Sequence, residues 1–189
     1  TFKAIVGAIV AAGANPGLIY IDVSFKGSVD MYMPVHISGE LMDTDFNAPV
    51  IEDACQALGA VKNPKTLAQC WSFYPAKILG CAGDGGCVTT NSEQVAEYVR
   101  EARNLFKNDN RDFGINSRLD NLQAAILNVK LKYIPDILRI RKNIASMYNK
   151  GLPKEIVPKW NEKRVWQDYI IRTERRDELY DYLKKKGIE

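Results

Sequence analysis

The 189-residue sequence contains a single histidine, His36, and four cysteines, Cys55, Cys70, Cys81 and Cys87. No pair of cysteines forms a CxxC and none stands at ligand spacing from the histidine, which excludes the common zinc frameworks. Free, buried, reduced thiols are expected instead, as suits a cytoplasmic protein. A bilayer span needs about 20 consecutive apolar residues, and the sequence holds no run that long. The stretch "TFKAIVGAIVAAGAN" has the lysine, short apolar core and small residues of a secretory leader, but it reads better as an amphipathic helix ended by Gly13. The chain opens on Thr1, so its natural start is expected upstream. With 26 Lys and Arg against 23 Asp and Glu, the net charge of +3 is too small to call for nucleic acid or an anionic membrane. Neither GxxxxGK[ST] nor a strand-to-helix GxGxxG occurs, so a Walker loop and a Rossmann fingerprint both fall away.

What is present is the balance of a globular protein, 46% apolar and 26% charged. Short apolar runs of strand length recur at Leu18 to Val23, Met33 to Ile37, Ala48 to Ala54, Cys70 to Tyr74 and Gly86 to Thr90. Runs so continuous in apolar character belong in a sheet covered on both faces. Helical patterns follow. Asn91 is the expected N-cap of one, with Gln94 completing a capping box and Val95, Tyr98, Val99, Ala102 and Leu105 on one face. A second runs from about Ser117 to Tyr133, with Leu119, Leu122, Ile126 and Val129 as its buried stripe. A third starts near Pro135 and stops near Gly151. The tail "VWQDYIIRT" reads as a strand and "RRDELYDYLKKKG" as a helix, whose Lys184 to Lys186 suit the C-terminal dipole.

The fold expected is therefore α/β, a mostly parallel sheet flanked by helices. Residues 1–135 would form a large domain and 136–189 the start of a smaller α+β one. Parallel strands need crossovers of a dozen or more residues, yet "SFKGSVDMY" and "SGELMDTDFN" are shorter and lack helical period. The displayed chain is thus expected to be incomplete, its flanking pieces joined across missing segments.

Lys77 is the only charge between Lys65 and Asp84, with apolar neighbours on both sides. Apolar surroundings disfavour an ammonium and so favour the nucleophilic amine; the plain alternative is a snorkelling lysine at a strand end. Ser72 lies five residues earlier, and "GDGG", Gly83 to Gly86, permits unusual backbone nearby. A hydroxyl holds a phosphate oxygen, and a lysine beside it forms an imine with a phosphorylated aldehyde such as pyridoxal phosphate. Asp53 ends the apolar run of "VIEDACQ", where ligands bind in α/β sheets, although an acid there also serves as a cap. With pyridoxal phosphate present, its carboxylate would pair with the pyridine nitrogen, and Gln56 would reach the same ring.

Three blocks, "VIEDACQALGA", "WSFYPAKILGCAGDGGCVTTN" and "FGINSRLDNLQAAILNVKLKYI", closely resemble the signatures of the DegT/DnrJ/StrS family of nucleotide-sugar aminotransferases. The resemblance covers nearly the whole chain. It implies a fold type I, pyridoxal phosphate-dependent enzyme, a homodimer with shared active sites. Lys77 would carry the cofactor covalently and move protons; Asp53 would pair with the ring nitrogen, Gln56 lie against the ring, Ser72 bind the phosphate, and Asn116 reach the phosphate of the neighbouring subunit's cofactor. His36 matches a position near the site without an assigned role. Glutamate would give its amino group, through pyridoxamine phosphate, to a keto group on a nucleotide-linked deoxysugar, for cell-surface polysaccharide or secondary-metabolite synthesis. "GDGG" leans toward members acting on 3-keto sugars. Deoxysugar dehydratases of the family replace the lysine with histidine, which Lys77 argues against; a non-catalytic regulatory member is the other alternative. The family's N-terminal phosphate loop and stacking aromatic, and the end of its small domain, have no counterpart here.

Overall fold

The computed structural model describes residues 3–19, 27–42, 44–60, 65–108 and 114–188. Helix α1 (Lys3–Ala11) ends as the sequence predicts, with Gly13 at φ 76° and its N–H donating to Val10 O. Of the expected strand at residues 18–23, residues 20–23 lie outside the described residues, and Leu18 and Ile19 are in no strand.

Three strands form the sheet, β1 (Ile51–Asp53), β2 (Ala68–Ser72) and β3 (Gly86–Thr89), in that order. β1 runs parallel to β2, with Asp53 opposite Cys70; β2 and β3 are antiparallel, with Ser72 opposite Gly86. The expected run at residues 33–37 lies along the free side of β1 as two isolated parallel bridges, Tyr32 to Val50 and Val35 to Asp53. The sheet is thus mixed, parallel on the β1 side and antiparallel at β3. The expected burial on both faces is only partly met: β1 is buried on the Glu52 face and half-buried on the other, β2 is buried at its start and half-buried from Cys70 to Ser72, and β3 is exposed along its length.

Helix α2 (Glu93–Ala102) is capped one residue later than the sequence suggests. Ser92, not Asn91, has extended backbone, and its Oγ accepts from Val95 N–H at 3.3 Å. With the cap at Ser92, Gln94 falls at the second helical position and forms no capping box. Helix α3 (Asn121–Leu131) corrects the expected stripe: Leu122 and Val129 are 72% and 57% exposed, whereas Leu127 is buried. The helix is apolar on two faces, and the one carrying Gln123 and Leu127 meets the core. There Leu127 joins Phe73, Leu79 and Cys81, with Leu58, Leu119 and Ile134 at the margin. Helix α4 (Ile134–Gly151) begins with Pro135 in its first turn, where a missing N–H costs nothing. Helix α5 (Arg176–Lys185) follows a segment that is not the predicted strand. Trp166 takes φ 51°, which breaks strand alternation, and residues 165–167 instead lean on an earlier turn. No helix among the described residues is long and apolar enough to cross a membrane.

Candidate active site

Alternation along β1 sends Asp53 to one face of the sheet and Glu52 to the other. Register then puts Cys70 and Ser72 of β2 on the Asp53 face, and Gln69 on the Glu52 face.

The Glu52 face is closed by a buried polar network. Glu52 accepts from Gln69 Nε2 at 2.8 Å and Thr66 Oγ1 at 2.5 Å, and lies 2.6 Å from His36 Nε2. Met42 N–H donates to His36 Nδ1 at 3.1 Å, so that nitrogen carries the lone pair and Nε2 carries the hydrogen given to Glu52. His36 is 1% exposed and works as a buried tie between residues 36–42 and β1.

The Asp53 face is open. Asp53 Oδ1 accepts from Cys55 N–H at 3.0 Å, a local turn that stops the strand. Gln56 Oε1 accepts from Ser38 N–H at 2.6 Å. Ser38 is left-handed at φ 59°, and the turn Ile37–Gly39 closes so tightly that a Cβ on Gly39 would fall 2.5 Å from Val165 Cγ2 and 2.9 Å from Gln56 O. Ser72 ends β2; its Oγ accepts from Tyr74 N–H at 3.2 Å, and its own hydrogen is uncommitted among the described residues.

Lys77 rides the loop after β2. Its N–H donates to Tyr74 O at 2.9 Å, and Cys81 N–H to Phe73 O at 2.8 Å. The loop folds back so that a Cβ on Gly80 would fall 2.3 Å from Pro75 O, a space only glycine leaves open. Lys130 Nζ of α3 donates to Gly80 O, and Gln123 Oε1 accepts from Ala82 N–H at 2.8 Å, fastening the loop's exit to that helix. The half-buried Lys77 has no hydrogen bond or ion pair of its side chain among the described residues.

Asp53 and Lys77 both act on the Cys55 thiol. The thiol is pushed up to about 12, by burial first, then by the hydrogen bond and charge of Asp53 and by Cys70, against which Lys77 pulls it down. Cys70 is raised too, by burial first and then by Asp53 and Cys87. Of the five residues singled out in the sequence, Asp53, Gln56, Ser72 and Lys77 thus gather at the ends of β1 and β2. Asn116 does not join them: it is exposed, bridges to Asn104, and its Oδ1 accepts from Arg118 Nε at 3.0 Å. Two residues here had no signal in the sequence. Cys55 reads as one more buried thiol, and Gln167 lies 89 residues from the loop it touches.

Comparison with known proteins gives a consistent picture. The model of the DegT/DnrJ/EryC1/StrS aminotransferase family matches residues 1–189. A Geobacillus stearothermophilus protein called a pleiotropic regulatory protein is 35% identical over 226 aligned residues, spanning all of this chain and 60% of that protein. The aligned stretch is longer than this chain, so that relative carries internal residues with no counterpart here. A Streptomyces venezuelae protein called dTDP-3-amino-3,4,6-trideoxy-alpha-D-glucose transaminase is 36% identical over 178 residues, 83% of this chain and 47% of its own. The solved structure of NtdA from Bacillus subtilis, with bound cofactor PMP, superposes with a TM-score of 0.83 at 26% identity, over 98% of this chain and 51% of that one. The chain therefore spans 47 to 60% of the proteins it is compared with here.

Proposed function

Because the chain belongs to the DegT/DnrJ/EryC1/StrS aminotransferase family, with the fold type I α/β architecture of its solved neighbours, we propose that it moves an amino group from glutamate to a keto group of a nucleotide-linked deoxysugar. Pyridoxal phosphate, with pyridoxamine phosphate as its amino form, is the cofactor of this reading. The donor set fits that group. Among the described residues, Asp53 offers a carboxylate and Ser72 a hydroxyl with an uncommitted hydrogen on one face of the sheet, and Lys77, on the loop after β2, an amine with no hydrogen bond or ion pair. They match a protonated ring nitrogen, a phosphate and an aldehyde respectively. The observation that carries the reading is the register that sets Asp53, the last residue of β1, opposite Cys70 and so on the same face as Ser72, the last residue of β2, with Lys77 on the loop that follows.

When bound, the cofactor supplies a carbonyl for amine exchange and a ring that withdraws electrons from the substrate carbon. Lys77 would hold the cofactor and, once released, take the proton from the amino donor's α carbon. Positioned proton transfer of this kind is typically worth about 100- to 10,000-fold. Asp53 would hold a proton on the ring nitrogen, Gln56 would bear on the ring, and Ser72 Oγ would donate to a phosphate oxygen. Asn116, exposed on its own protomer, would serve the neighbouring subunit of a homodimer. Residues 1–135 would form the cofactor domain and 136–189 the start of the small one, divided within the first turn of α4. The four unpaired thiols support a cytoplasmic location.

The test is spectroscopic and kinetic. With pyridoxal phosphate, the protein is expected to show a visible band that borohydride abolishes, leaving the cofactor's mass on the Lys77 peptide. Glutamate with a panel of keto-sugar nucleotides is expected to give 2-oxoglutarate and an amino sugar; Lys77→Ala is expected to give neither product. A wild-type protein without that band would favour the non-catalytic reading, for which the relative called a regulatory protein is the precedent. Full activity in Lys77→Ala would overturn the assignment.

A further inference from the structure

Gln167 is nine-tenths buried, and its side-chain amide spans the catalytic loop at the two residues flanking Lys77. Its Oε1 accepts from Ile78 N–H at 3.2 Å and its Nε2 donates to Ala76 O at 3.2 Å. Lys77 N–H is itself tied to Tyr74 O. The backbone that launches the Lys77 side chain is therefore fixed before, at and after that residue.

Gln167 is in turn held firmly. Its N–H donates to Ser38 O at 3.1 Å and Val165 N–H to Gly39 O at 3.0 Å. Arg141 Nη1, from α4, donates to the carbonyls of Trp166 and Gln167 at 3.2 and 3.0 Å. Trp166 is 3% exposed, with Trp160 and Tyr169 rings 5.1 and 5.7 Å away and the Arg164 guanidinium 4.6 Å from its centroid. The Ser38 peptide that receives Gln167 on its carbonyl side is the one whose N–H binds Gln56. One rigid turn thus joins the segment gripping Lys77 to another residue of the cofactor face.

We propose that Gln167 is a positioning residue for Lys77: the paired hydrogen bonds of its amide to Ala76 and Ile78 set the direction in which the lysine leaves the backbone. This rests on the function proposed above. A reacting group displaced by about 1 Å loses on the order of 100-fold in rate, whereas substrate affinity does not depend on the lysine's aim. Gln167 belongs to the segment before α5 and Lys77 to the loop after β2, so the grip ties together two parts of the chain far apart in sequence.

The test compares wild type with Gln167→Met, which keeps the shape but neither hydrogen bond, and Gln167→Glu, which keeps only the acceptor for Ile78. Steady-state turnover of glutamate with the keto-sugar nucleotide that wild type accepts is followed by 2-oxoglutarate release, and amide exchange at Ile78 is measured on the cofactor-free protein. The expected result is kcat reduced about 10- to 100-fold in Gln167→Met with KM for glutamate held within about twofold. Gln167→Glu is expected to fall between it and wild type. Ile78 is expected to exchange at least about tenfold faster in Gln167→Met. Unchanged kcat, a loss confined to KM, or wild-type protection at Ile78 would overturn the proposal. If Gln167→Met does not fold, Gln167→Glu is judged by the same criteria. Should wild type fail to bind cofactor at Lys77, the functional reading falls, while Ile78 exchange still decides whether Gln167 holds the loop.

Discussion

Cys55 is where Asp53 and Lys77 can be read without any ligand. Its thiol is raised from 9.0 to about 12, chiefly by burial and then by Asp53. The folded value exceeds the unfolded one, so the stability this thiol contributes is complete below about pH 9 and lost as pH climbs toward 12. Two outcomes follow. Site-mapped alkylation by iodoacetamide at pH 8 is expected to be slower at Cys55 than in the unfolded chain, because the thiol carries little thiolate. Lys77→Ala is expected to slow it further and Asp53→Asn to speed it, since the two side chains act on the thiol in opposite senses; equal rates in all three proteins would separate Lys77 and Asp53 in space. Asp53→Asn keeps an acceptor for Cys55 N–H, so the protein is expected to stay folded while glutamate turnover drops at least about 100-fold, by analogy with losing a preorganised electrostatic group. Circular dichroism and single-turnover rates check the two halves of that statement.

At the scale of elements, α3 separates what patterning shows from what packing decides. Leu119, Leu122, Ile126 and Val129 form a proper helical stripe, and the helix exists, yet its buried anchor is Leu127 on the adjoining face. Periodicity tells that a face is apolar; it does not tell which of two apolar faces meets the core. Leu127→Ala is expected to cost about 2–5 kcal/mol by urea unfolding, and Leu122→Ala to stay within about 0.5 kcal/mol in the isolated protomer. Part of the candidate site is visible in the sequence for a similar reason. Asp53, Ser72 and Lys77 follow strand ends, and strand ends are marked in sequence by apolar runs and glycines. Gln167 is not, because its role depends on a contact 89 residues away and on Trp166 at φ 51°, which no local pattern announces. The Gly80 loop combines both cases: its glycine is visible, but the 2.3 Å approach to Pro75 O is not. Gly80→Ala is expected to lower the melting temperature and to weaken cofactor retention together, measured by thermal unfolding with and without pyridoxal phosphate.

For the whole molecule, large apolar side chains stand exposed beside Asn116, the candidate that does not join the others, as well as on α1, α4 and α5. Ile115 beside Asn116 is 67% exposed and Leu122 at the start of α3 is 72% exposed. Under the homodimer reading this region faces the second subunit. Sedimentation is expected to show a dimer, and mixing Lys77→Ala with Asn116→Ala protein is expected to restore part of the activity that each lacks alone, since one of the two sites in a mixed dimer is then intact. Failure of mixing to restore any turnover would place Asn116 outside the shared site. The grip of Gln167 on Ala76 and Ile78 also bears on the order of events during translation. Ribosomes add about 5–20 residues per second, and Ile78 precedes Gln167 by 89 positions. For several seconds of every synthesis the strands and the lysine can exist while the lysine's aim cannot, so a nascent chain stalled before residue 167 is expected to carry an unfastened loop.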